Sequence, residues 1–309
     1  MKLLFFTPFL LLFLLSFNPS PVQKKDKPKI CLTFDDGSVA DMPGYDSQKW
    51  NHLLLQHLRN NKVQAVFFAM GNALNNEKGK HVLARWDEEG HLIANHTYSH
   101  RSYHSAESTF ENFSSDVLRN DSLISGYKGY TRLFRFPYLK EGNTPEKRDL
   151  FRAFLKEQQY RNGYVTVDAS DWFINSRLIK HLKENRNVDI EAYKKFYLAH
   201  IWDRANYYNA LSLKINGRQI NHTLLLHHNL AAALFMDDLI KMFRNKGWEV
   251  IDANEAYTDE VYKKAPNTMP AGESLIWALA KESGAYENVL RYPAEDSKYE
   301  EPKMNKLGL

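Results

Sequence analysis

The chain has 309 residues, 43% of them hydrophobic and 25% charged, and a net charge of +4. That length supports one large domain or two small ones, and that balance excludes a disordered or fibrous chain and shows no concentrated basic patch of the kind nucleic acid requires. A single cysteine, Cys31, excludes an intramolecular disulfide, so packing alone must hold the core.

At the start, Lys2 precedes an apolar run over residues 3–17 that breaks at Asn18, Pro19, Ser20 and Pro21. This pattern predicts a signal peptide over residues 1–21 and export to the cell envelope or beyond, secreted or periplasmic. The run is shorter than the roughly 20 residues a membrane span needs, so no stable span is expected once it is removed. A lysine-rich linker follows at 22–28. Residues 29–34 read as a strand ending at Asp35-Asp36-Gly37, then 50–59 as a helix and 63–69 as a buried strand that stops at Gly71. A helix over 81–88, a strand over 92–95 running into His96, a helix over 108–124 and a strand over 133–136 meeting Pro137 come next. Then follow a helix over 148–158 and a strand over 164–167 ending at Asp168. A polar helical stretch covers 174–213, and residues 174–221 read as an insert for substrate binding or dimer contact. Residues 222–226 form a strand ending at His227, 234–245 a helix, and 248–251 a last strand. An extension from about residue 257 carries one helical pattern at 273–281 and is then polar, which predicts a surface wrap. Strand–helix alternation argues an α/β fold with parallel strands, and residues 29–309 read as one domain. Cys31 lies inside the first strand, where a small buried hydrophobe fits.

The polar residues fall in a pattern. Asp35-Asp36, His96, Arg135, Asp168 and Asp171, and His227 all stand just past predicted strand ends, which in a parallel barrel form one rim. Two histidines four apart, in His96-Thr97-Tyr98-Ser99-His100, suit one metal ion when joined by a carboxylate. An arginine such as Arg135 keeps its charge and forks onto a carboxylate. Taken alone, Asp35-Asp36 also reads as a solvated turn, Arg135 as a surface group, and His227 beside His228 as structural.

Together and in order, Thr33-Phe34-Asp35-Asp36-Gly37, the His96–His100 pentapeptide, Arg135-Phe136-Pro137-Tyr138, Asp168-Ala169-Ser170-Asp171-Trp172 and Leu225-Leu226-His227 resemble the five motifs of the polysaccharide deacetylases with the NodB homology domain, the family 4 carbohydrate esterases. Ser38, Val66 and His228 depart from the family's usual residues. The resemblance implies a distorted, seven-stranded (β/α) barrel. It implies a divalent ion held by Asp36, His96 and His100, most simply Zn2+, with Co2+ or Ni2+ as alternatives. It further implies Asp35 as general base oriented by Arg135, the Tyr138 backbone N–H as an oxyanion donor, and His227 as general acid partnered by Asp171. Trp172 and Leu225 would line the pocket for the acetyl methyl. The expected partner is a carbohydrate, not nucleic acid, and the expected reaction is deacetylation of an N-acetylated sugar. An O-acetyl esterase and a glycan-binding module without turnover are the alternatives.

Overall fold

The structure is a computed structural model that describes residues 26–184, 187–292 and 296–309. The expected signal peptide, and the linker up to residue 25, lie outside the described residues. Among the described residues the strands are β1 (Lys29–Asp36), β2 (Val66–Ala69), β3 (Leu92–Asn95), β4 (Tyr130–Phe134), β5 (Lys140–Gly142), β6 (Arg161–Asn162), β7 (Asn221–His227), β8 (Glu249–Val250) and β9 (Ala271–Gly272). The helices are α1 (Ser47–Asn60), α2 (Gly71–Leu74), α3 (Glu77–Glu88), α4 (Phe110–Ile124), α5 (Pro145–Glu157), α6 (Asp171–Glu184), α7 (Ile190–Asn216), α8 (Leu230–Asn245), α9 (Ala253–Ala256), α10 (Leu275–Ser283) and α11 (Glu301–Leu307). No described helix is long and apolar enough to cross a membrane.

Seven strands form one parallel sheet in the order β6-β4-β3-β2-β1-β7, with β8 pairing the start of β1. Side chains alternate across β1, as period-2 geometry requires. Ile30, Leu32 and Phe34 pack outward with α1 and α8 in the large core. Cys31 packs on the opposite, concave face with Val66, Phe68, Ala94 and Leu133. Asp35 belongs to that concave set by the same alternation, which aims it at the sheet's interior.

The expected strand at 164–167 is shorter and does a different job. Its pairing with the sheet starts earlier, at β6, and it then changes partner. Gly163 N–H donates to the Phe134 carbonyl (2.6 Å), whereas Thr166 and Val167 N–H both donate to Thr223 O (3.1 and 3.0 Å) and Leu225 N–H donates to Val167 O (3.0 Å). One short run therefore joins β4 to β7 and draws the sheet round on itself. A Cβ at Gly163 would lie 2.4 Å from the Phe68 ring, so the crossing leaves room for glycine alone.

Two other expectations gain detail. The helical stretch at 174–213 is two helices, α6 and α7, and α7 buries Tyr193, Tyr197, Ile201, Ala205 and Tyr208 in the core. Beyond α10 the described part of the extension runs largely exposed over the surface, but it is anchored: Tyr292, Met304 and Leu309, with Leu275 and Ile276 of α10, are buried in that same core. Its spaced apolar residues, diluted among polar ones, form a narrow stripe that composition alone hides.

Candidate active site

The rim expected from sequence is present. Asp35 and Asp36 end β1, His227 ends β7, and His96 and Arg135 directly follow β3 and β4. Asp35 and His227 are register partners on adjacent strands, and His228 N–H donates to Asp35 O (3.0 Å), so a carboxylate and an imidazole face one cleft from neighbouring positions.

Adjacent residues of a strand point to opposite faces, yet Asp35 and Asp36 serve one site. The reversal occurs at Asp36 itself, whose φ of 75° is left-handed, ahead of Gly37 at φ 126°. Thr97 and His100 also adopt positive φ (63° and 56°) and turn the histidine loop back toward it. That loop is pinned from α4: Asp116 accepts from the N–H groups of Tyr98 and Ser99 and from the Ser99 hydroxyl (3.1, 2.9 and 3.0 Å). Asn95 Oδ1 accepts from Thr97 N–H (2.9 Å). Gly71 admits the Tyr98 ring, which would come within 2.4 Å of any Cβ there.

Asp36, His96 and His100 then offer three ligand atoms all within 4.8 Å of one another. Asp36 Oδ1 lies 3.0 Å from His100 Nε2 and 3.5 Å from His96 Nε2, yet this buried oxygen has no hydrogen-bond partner. His96 Nδ1 lies 2.8 Å from the Arg135 carbonyl, which only accepts, so the ring proton sits on Nδ1 and the Nε2 lone pair faces Asp36. Burial pushes the His96 imidazole down to about 4, which keeps it neutral. Converging lone pairs, an orphaned carboxylate oxygen and a backbone-fixed tautomer are the features of a divalent metal site built from nitrogen and oxygen donors.

Asp35 is buried and forms a close ion pair with Arg135 Nη1. Arg135, also buried, uses four of its five N–H donors: besides Asp35, Nη1 donates to Thr33 Oγ1 (2.9 Å), Nε to Gly163 O (2.8 Å) and Nη2 to the Tyr257 hydroxyl (3.1 Å), and its guanidinium lies 3.8 Å above the Phe68 ring. Tyr257 passes its own proton to Tyr164 O (3.3 Å).

Across the cleft, Asp171 is fully buried at the start of α6. Its Oδ1 is 2.6 Å from His227 Nδ1, and its Oδ2 accepts from His227 N–H (3.0 Å) and Asn229 Nδ2 (3.1 Å). A carboxylate only accepts, so Nδ1 carries the proton and Nε2 is the atom left for proton exchange. His228 is a structural residue: Ser38 N–H donates to its Nδ1 (3.0 Å), Asn51 Oδ1 lies 2.8 Å from its Nε2, and it packs among Trp50, Phe67 and Trp86. Tyr138 is half exposed at φ 56°, its ring 4.6 Å from that of His100. Leu225 is buried with Leu139 and Val165, and Trp172 is partly buried on α6.

Of the residues named from sequence, Asp35, Asp36, His96, His100, Arg135, Asp171 and His227 thus come together at this rim, with the Tyr138 ring against His100. Sequence reasoning missed Tyr257, Asn229 and Asp116, which hold the others in place. Asn229 had a signal, as the residue before an apolar helical run.

Residues 22–160 match the sequence model of the family described as polysaccharide deacetylase. Over that stretch the chain is similar to the polysaccharide deacetylases. It is 29% identical over 148 residues to the peptidoglycan-N-acetylglucosamine deacetylase of Bacillus cereus, covering 48% of this chain and 47% of that one. It is 32% identical over 100 residues to the chitin deacetylase of Colletotrichum lindemuthianum, covering 28% of this chain and 37% of that one. The matches therefore span less than half the length of these relatives. A solved structure of the Bc1960 peptidoglycan N-acetylglucosamine deacetylase superposes with a TM-score of 0.52 at 20% identity, covering 75% of this chain and 88% of that one. The fold is that of the deacetylase (β/α) barrel, with seven strands in its sheet.

Proposed function

We propose that the protein is a metal-dependent hydrolase that removes acetyl groups from N-acetylated sugars of a polysaccharide or oligosaccharide. The observation that carries this reading is a buried carboxylate–arginine pair and a buried carboxylate on a histidine, both at the strand-end rim that holds the Asp36–His96–His100 set. A glycan-binding module has no use for two proton-transfer groups; hydrolysis of an unactivated amide needs both. The curated relatives, named as deacetylases of peptidoglycan N-acetylglucosamine and of chitin, support the same substrate class.

In this mechanism Asp36, His96 and His100 hold the ion, with Zn2+ favoured by the donor set and Co2+ or Ni2+ compatible with it. When bound, the ion polarises the acetyl carbonyl and lowers the pKa of water. Asp35 takes the proton of the attacking water. Its ion pair with Arg135 fixes it in direction. The Tyr138 N–H stabilises the developing oxyanion. His227, with Nδ1–H held by Asp171, delivers a proton from Nε2 to the departing amine nitrogen. C–N cleavage then gives acetate and a free amino sugar. Leu225 and Trp172 supply an apolar wall for the acetyl methyl. The apolar leader in the sequence supports an exported enzyme, which suits a cell-envelope polymer.

The test is acetate release by the metal-loaded protein from chitin oligomers, peptidoglycan and acetylated xylan, with and without chelator. Chelator-sensitive release from an N-acetyl sugar is the expected result. Release from xylan alone would replace amide hydrolysis with ester hydrolysis, and one bound ion per chain with no release from any substrate would refute the enzyme reading.

A further inference from the structure

The turn from Asp168 to Asp171 is held by residues from outside the stretch that matches the family. Ser170 N–H donates to His200 Nε2 (3.1 Å), and the Ser170 hydroxyl donates to Asp296 O (3.3 Å) while accepting from Arg204 Nη2 (3.3 Å). The same Nη2 donates to Glu300 Oε1 (2.6 Å), and His200 Nδ1 lies 3.4 Å from that oxygen. Since His200 Nε2 accepts, its proton is on Nδ1, facing Glu300; burial holds this ring neutral, far below its ordinary range. The Arg204 guanidinium sits 3.2 Å over the Tyr292 ring and 5.6 Å from that of Tyr299. Arg204 is 1% exposed and Glu300 2%. His200 and Arg204 share one face of α7 at i, i+4 spacing, while Tyr292, Tyr299 and Glu300 come from the C-terminal extension.

A buried ion pair adds little net stability compared with apolar residues of the same volume, because desolvation of both charges opposes their attraction. Its directional hydrogen bonds, however, fix what they touch. Here they fix Ser170, and the next residue is Asp171, the partner of His227. We infer that Arg204, together with Glu300 and His200, is a positioning residue that sets Asp171 against His227, so that α7 and the C-terminal extension tune delivery of the proton to the leaving group. This inference rests on the deacetylase reading for its kinetic consequence but not for its structural one.

The discriminating experiment uses Arg204→Met, close in volume, and Arg204→Lys, which keeps the charge beside Glu300. Turnover is measured on an N-acetylated chito-oligomer and on an aryl acetate, whose phenolate leaves without a proton. Arg204→Met is expected to lower kcat on the amide at least tenfold, with KM changed less than about threefold and aryl acetate turnover nearly intact, since general acid catalysis is worth about 10²–10⁴. Arg204→Lys is expected to recover part of the loss. An equal fall on both substrates, or unchanged amide turnover, would overturn the inference. In parallel, the downfield proton resonance of His227 Nδ1–H is followed by NMR. Its loss in Arg204→Met supports the positioning role, and its persistence refutes that role even if the parent protein hydrolyses neither substrate. An inactive parent would count against the proposed function alone.

Discussion

Tyr257→Phe isolates one hydroxyl that no motif names. The substitution keeps the ring and its packing and removes an oxygen that accepts from Arg135 Nη2 at 3.1 Å and donates to Tyr164 O at 3.3 Å. Arg135 is buried, so the freed N–H has no water to turn to. A hydrogen bond to a charged group is worth about 1.5–3 kcal/mol and the longer bond to Tyr164 about 0.5–1, giving a loss of about 2–4 kcal/mol. At roughly 2–4 °C per kcal/mol for a large domain, Tm should fall by about 4–16 °C. Turnover should fall by less than tenfold, because Arg135 keeps Thr33, Gly163 and Asp35. Calorimetry of the purified variant at constant pH and metal concentration is the assay. A Tm within 1 °C of the parent would refute the claim that the Tyr257 hydroxyl holds Arg135. A hundredfold loss of turnover with little change in Tm would instead make Tyr257 part of the chemistry.

Asp168 carries two buried oxygens with no hydrogen-bond partner, and burial raises its carboxyl from 3.8 to about 6. An acid whose folded pKa is raised opposes folding once ionised, so stability is lost as pH climbs from about 4 past 6. Asp168→Asn should therefore be more stable than the parent at pH 8, by up to about 3 kcal/mol, and equal to it near pH 4, as read from urea unfolding. His227→Ala should lower amide turnover at least about 100-fold with little change in fold, whereas His228→Ala, which empties a site among Trp50, Phe67 and Trp86, should lose about 2–4 kcal/mol of stability. Zn2+ at 100 times its Kd should stabilise the protein by about 2.7 kcal/mol in a thermal-shift assay. Asp35→Asn should keep that shift while losing turnover; His96→Ala should lose both, and loss of the shift in the Asp35 variant would refute the division of labour. Gly71→Ala should displace the Tyr98 ring and weaken this metal-induced shift; an unchanged shift would free the histidine loop from Gly71.

The rim was legible because a strand end fixes a side chain's address by local sequence alone: an apolar run followed by Asp35, His96, Arg135 or His227 needs no long-range knowledge. What set those side chains in their final directions was not legible. The reversal at Asp36 depends on a backbone angle that aspartate adopts only when its surroundings enforce it. Tyr257 lies 122 residues from Arg135 in sequence and Asp116 sits mid-helix, and neither has a local pattern to distinguish it from other tyrosines or helix-surface acids. The anchoring of the extension was hidden for the same reason: Arg204 and Glu300 are 96 residues apart, and two charged residues in polar stretches read as solvated until their burial is seen. His228 was ambiguous by sequence and is settled by its aromatic neighbours, which composition could not assign to it.

The residue that lets the sheet close also faces the chemistry. Gly163 donates its N–H to Phe134 where the run from Arg161 leaves β4 for β7, and its carbonyl receives Nε of Arg135. A breathing motion that parts this seam would therefore unhook the base's partner at the same moment. Amide exchange at Gly163, Val167 and Leu225 should accordingly report the same opening free energy as heat inactivation, with no warm, intact but idle intermediate between them.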